Sequence, residues 1–161
     1  MRLPMSATIN AAMQEICSIS FALEPLSDDE PVLSIMPVVN GFRLATLIDE
    51  FERARQYEPA GGYAGLVPAH FNFGPLDQYF LATNAESPSE EKRWLLGCTC
   101  GEAGCWPLEA RVVRTEQQVS WQGFAQPFRR ERDYSDFGPF RFDLSQYDRA
   151  VAELASAFPR G

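Results

Sequence analysis

Histidine is almost missing: the chain of 161 residues holds one, His70. A Ser-His-Asp or Cys-His hydrolase would have to be built on that single imidazole, and neither G-x-S-x-G nor a cysteine-protease signature accompanies it. Basic charge is scarce as well, 14 Lys and Arg against 22 Asp and Glu for a net charge of −8. Phosphate backbones are bound by clustered Lys and Arg through counterion release, so nucleic acid is not an expected partner. No run of apolar residues reaches membrane-spanning length, and MRLPMSATINAAMQE lacks a continuous apolar core of signal type. The expectation is a cytoplasmic protein with no membrane partner. Gly61-Gly62-Tyr63-Ala64-Gly65 lacks both the Lys-Ser/Thr of a phosphate loop and the spacing of G-x-G-x-x-G.

What is present describes an ordinary globular chain. Hydrophobic residues make up 45% and charged residues 22%, enough to fold without staples, because a domain of about 150 residues buries roughly 68–70% of its unfolded surface. With no internal repeat or linker, residues 1–161 form one expected domain, of which about 1–13 are expected to be poorly ordered.

Period-two alternation over residues 16–23 sets Cys17, Ile19, Phe21 and Leu23 against Ser18 and Ser20, the pattern of a half-buried strand. A second β-rich run covers 32–39, where Pro37 predicts an edge strand or its end. From about 42 to 57, Leu44, Leu47, Ile48 and Phe51 recur at helical spacing, with Asp49, Glu50, Glu52, Arg53 and Arg55 assigned to the polar side. A C-terminal helix over about 145–158 follows, with Ser145 as the predicted N-cap and Tyr147, Ala150, Val151 and Leu154 on its apolar stripe. Between them, residues 87–93 read as a solvated polar connection and 94–123 as a meander. A four-residue loop, 101–104, pairs Leu95 with Ala110 and Gly97 with Leu108; a second, 114–117, brings Val119 and Trp121 onto the same apolar face. The expected fold is α+β: an antiparallel sheet of about five strands with the two helices packed on one face.

Two features carry candidate chemistry. In CTCGEAGCW, Cys98, Cys100 and Cys105 share the face opposite the apolar one, spaced C-x-C-x4-C. Zinc asks for a fourth ligand, which Cys17, Glu102 or His70 could supply; a redox pair asks for Cys100 and Cys105 to meet across the strands; small buried residues around a glycine turn ask for neither. No cofactor is expected, and zinc is the alternative.

The second feature is a pair of long loops, 58–75 and 124–144. Together they hold Tyr63, His70, Phe71, Phe73, Phe128, Arg129, Arg130, Arg132, Tyr134, Phe137, Phe140 and Phe142, the types enriched at interface centres. Of these, Tyr63, His70, Phe71, Phe73, Arg129, Arg130, Arg132 and Tyr134 make up the candidate binding surface for a protein or small anionic ligand. The competing reading puts the phenylalanines in the core and neutralises the arginines with Glu131 and Asp133. Acidic runs such as Asp28, Asp29 and Glu30, or Glu90 and Glu91, fall in solvated turns and suggest no acid-base pair.

The string C-x-C-G-x-x-G-C-W-P at 98–107, followed by QPFR, DYS and GPFRFDLSQY, resembles a family of uncharacterised bacterial proteins that share such a turn and a G-P-F-x-F segment. The resemblance covers the C-terminal half best. It implies a bacterial source, and no known activity or catalytic residue comes with it. The expected function is therefore a non-enzymatic interaction module built on the two loops, with a metal or thiol protein centred on Cys98, Cys100 and Cys105 as the alternative.

Overall fold

A computed structural model describes residues 16–26, 32–68, 75–81, 92–99 and 106–157. The chain is α+β, with nine strands and three helices among the described residues. The strands are β1 Ile16–Cys17, β2 Ile19–Pro25, β3 Leu33–Val39, β4 Phe42–Arg43, β5 Tyr63–Ala64, β6 Lys92–Cys98, β7 Leu108–Arg114, β8 Gln118–Ala125 and β9 Phe140–Asp143; the helices are α1 Leu44–Ala54, α2 Leu76–Leu81 and α3 Leu144–Ala157. Six strands form one sheet in the order β1-β9-β8-β7-β6-β5, and β2-β3-β4 form another. The sheet is mixed rather than purely antiparallel, because β1 runs parallel to β9.

Backbone pairing joins the two sheets into a ring. β1 runs on into β2 through Ser18, whose N–H is taken by Asn40 Oδ1 at 2.9 Å. On the far side, β5 leads to Leu66, which exchanges both backbone hydrogen bonds with Ile35 of β3, at 2.7 and 3.2 Å. Gly65 is required there, since a Cβ would overlap the Ile35 carbonyl. Pro37, whose missing donor suggested an edge strand or a strand end, marks neither: β3 continues to Val39 and lies between β2 and β4. It shares the parity of Ile35, so its nitrogen faces the side where pairing lapses between the Leu66 bridge and the Val38–Arg43 pair. Asn40 and Gly41, both at positive φ, then turn the chain into β4.

The meander keeps its expected apolar face, but not its expected register. Val112 pairs with Trp121 and Arg114 with Val119, a shift of two residues, which leaves the same side chains facing inward. Between β6 and β7 a bulge at Trp94 to Leu96 sets Arg93, not Leu95, opposite Ala110, and Leu96, not Gly97, opposite Leu108. Leu95 and Leu96 are consequently both buried, and Arg93 is buried too, its Nε donating to the Tyr79 carbonyl at 3.1 Å. In α3 the cap is Asp143, whose carboxylate takes the Gln146 N–H at 3.1 Å, and not Ser145. One continuous core joins Ile35, Ile48, Phe80, Trp121, Phe142, Tyr147 and Leu154.

Candidate functional site: a buried carboxylate that ties two loops together

α1 is shorter than its periodicity predicts. Gln56 adopts the left-handed conformation (φ 62°), and its N–H goes to the Arg53 carbonyl while that of Tyr57 goes to Glu52, both at 3.0 Å. These two bonds form a Schellman closure, which turns the chain away from the helix after Ala54. The last turn therefore delivers residues 57–62 back over the helix, against Glu52.

Glu52 was placed on the polar side of α1, and the structure overturns this: its exposure is 0%. Leu44, Ile48 and Glu52 follow one another at four-residue steps, so the carboxylate continues the apolar stripe. Oε1 accepts the Gly61 N–H at 2.8 Å. Oε2 accepts the hydroxyls of Tyr63 at 2.8 Å and Tyr134 at 2.6 Å, and Arg132 Nη1 pairs with it at 3.3 Å. Gly61 comes from the first loop, Tyr63 from β5 beside it, and Arg132 and Tyr134 from the second loop. One carboxylate thus gathers donors from three places in the sequence, compensating the large cost of removing its charge from water.

Guanidinium–aromatic contacts extend from this node. Arg132 donates to the Pro59 carbonyl at 2.8 Å, and its guanidinium lies over the rings of Tyr57 and Trp106, 5.1 and 5.7 Å from their centroids. Trp106 donates through Nε1 to the Gly61 carbonyl at 2.9 Å and carries Arg129 over its ring at 5.1 Å. Tyr57 OH accepts the Asp133 N–H at 2.8 Å. The second loop is itself a run of turns, with N–H groups of Arg129, Arg132 and Phe137 bonded three residues back, to Gln126, Arg129 and Tyr134. Three-residue spacing brings Arg129 and Arg132 to the same indole, while Arg130 and Glu131 project to solvent.

Electrostatics keep the node neutral and closed. Burial, with the Glu52 carboxylate adding to it, pushes the Tyr63 hydroxyl far above the usual tyrosine range. Burial likewise raises Tyr134, against the opposing pull of Arg132. Both remain hydrogen-bond donors at neutral pH. Burial draws the Arg132 guanidinium down, but its bond to Tyr134 and the charge of Glu52 outweigh this and raise it. Asp133, outside the node, is lowered by hydrogen bonds from Ser135. A carboxylate with its lone pairs filled and no exposed surface is out of a substrate's reach, so the arrangement acts as an anchor rather than a general base.

Of the candidate surface residues, Tyr63, Arg129, Arg132 and Tyr134 meet at or beside this node. Arg130 is exposed and stands apart from it. His70, Phe71 and Phe73 lie outside the described residues. Phe137, Phe140 and Phe142 belong to the core, whereas Phe128 is 56% exposed. Glu131 and Asp133 do not neutralise the arginines: Glu52 pairs with Arg132 and Asp136 with Arg55, and among the described residues no acid pairs with Arg129 or Arg130. Glu52, Trp106 and Tyr57 are the members that sequence reasoning missed. An open groove lined by Arg53, Gln56, Tyr57, Glu58, Pro59 and Ala60 borders the node.

Cys98, half-buried, closes β6 opposite Tyr63. Cys100, Cys105, Glu102 and His70 are outside the described residues. Cys17 is buried in β1, with three strands of the sheet between it and β6. Among the described residues no three His, Cys, Asp or Glu side chains group as metal ligands, and no helix is long and apolar enough to cross a membrane. No protein-family model, curated protein or solved structure matches the chain.

Proposed function

We propose that the protein is a non-enzymatic interaction module that grips a partner with the two loops spanning 58–75 and 124–144. The observation that carries this reading is the Glu52 node, which fixes both loops to one helix and to each other through buried donors. Such rigidity lowers the ordering cost of binding. A buried anchor beneath, with half-buried Arg129 and exposed Phe128 and Arg130 above, is the arrangement expected of a preformed docking platform.

The test is affinity capture from the source organism with the wild-type chain, with Phe128→Ser, Arg129→Ala and Arg130→Ala, and with Glu153→Ala on the solvent side of α3 as control. The platform reading expects a partner that the wild type and Glu153→Ala retain, and that at least one loop variant loses. Equal recovery by every variant, or no recovered partner, would overturn it.

A further inference from the structure

We propose that the platform recognises an acidic peptide segment, with Arg129 and Arg130 receiving its carboxylates and Phe128 an adjoining apolar side chain. This rests on the docking reading above and names the class of partner. Arg129 is the outward end of the guanidinium–aromatic series: Trp106 lies under its guanidinium, and Nη1 donates to the Phe128 carbonyl at 3.3 Å. Its Nε and Nη2 hydrogens have no acceptor among the described residues. A guanidinium held against an indole with its remaining donors unused is prepared for a carboxylate, which accepts two parallel N–H bonds.

Arg130 adds a second charge that no acid among the described residues pairs with, although acids outnumber bases 22 to 14 overall. Of the acids near at hand, Glu52 is engaged with Arg132, Asp136 with Arg55 and Asp133 with the Ser135 backbone at 2.9 Å, while exposed Glu131 pairs with neither arginine. Two adjacent cations with no acidic partner among the described residues complement negative charge locally. The exposed Phe128 beside them favours a peptide over a bare anion, since its ring offers nothing to phosphate. Arginine clusters that read acidic motifs work in this way.

The experiment is fluorescence anisotropy with a labelled peptide rich in Glu and Phe, a counterpart of the same length with Gln for Glu, and inorganic phosphate as competitor. The full chain is used, with thermal melts to verify that each variant is folded. The acidic peptide should bind about tenfold or more tightly than its Gln counterpart, the loss expected when a charged hydrogen bond is removed. Arg129→Ala should abolish that difference, and Arg129→Lys should lose most of it, because an ammonium cannot reproduce the fork. Arg130→Ala, at an exposed residue with no hydrogen bond or ion pair among the described residues, keeps the test valid should Arg129→Ala fail to fold, and should weaken the acidic peptide alone.

Equal binding of the two peptides, no binding of either, or displacement by phosphate at equal concentration would overturn the proposal. Its failure is separable from that of the docking reading: a captured partner lost by Phe128→Ser yet kept by both arginine variants preserves the platform and removes the acidic peptide.

Discussion

Glu52 is where a single side chain carries the most structure. Its oxygens satisfy Gly61, Tyr63, Tyr134 and Arg132 at once, so Glu52→Gln turns an amide donor toward groups that are already donors and strands the Arg132 charge. Breaking one side of a buried pair typically costs about 3–5 kcal/mol, and urea unfolding of Glu52→Gln should show a loss near the lower figure, about 3 kcal/mol. Tyr63→Phe removes one donor and leaves the carboxylate with three, and should cost only about 1 kcal/mol. A Glu52→Gln loss no larger than that of Tyr63→Phe would remove the node's special standing. The arginine and aromatic partners were legible in the sequence as an unusual loop composition. Glu52 was not, because an acid on an amphipathic helix is ordinarily read as solvent-facing, even though its four-residue step from Ile48 places it on the buried stripe.

At the scale of elements, the positions of the loops depend on how helix and strands end. The Schellman closure at Gln56 returns the chain over α1, and the Leu66–Ile35 bridge pins it to β3. Gly65→Ala should therefore cost about 2 kcal/mol or more by driving a methyl into a backbone carbonyl that cannot rotate away. A melt unchanged from wild type would mean that this crossing yields easily. Element types and the apolar face of the β7–β8 hairpin could be read from period and turn chemistry. The β6–β7 register could not: Leu95 and Leu96 are consecutive apolar residues, and alternation alone cannot tell which of them a bulge absorbs. The helix start shows the same limit, since Asp143 and Ser145 are both acceptable caps and only the Gln146 hydrogen bond separates them.

Over the whole molecule, the ring of strands and its core depend on tyrosines that stay neutral. Burial is the largest cause raising Tyr63, Tyr79, Tyr134 and Tyr147 above the ordinary range. The hydroxyl of Tyr79 serves Trp94, and that of Tyr147 donates to the Phe80 carbonyl at 2.7 Å while accepting from Trp121 at 3.0 Å. A raised folded pKa means that the native state holds protons the unfolded state releases. Stability should therefore be independent of these groups below about pH 10 and fall above it, by up to about 1.4 kcal/mol per pH unit for each tyrosine. Tyrosinate absorbance should rise for these four together with the loss of near-ultraviolet circular dichroism. Their titration near pH 10 in a chain still folded would contradict the burial argument.

The central claim is that Glu52 holds the two loops as one unit, and amide hydrogen exchange tests it most directly. Comparing wild type with Glu52→Gln at neutral pH, under conditions where both are folded, residues 59–66 and 126–137 should lose protection together while the β7–β8 ladder keeps its own. Loss confined to one loop, or protection unchanged in both, would contradict the account.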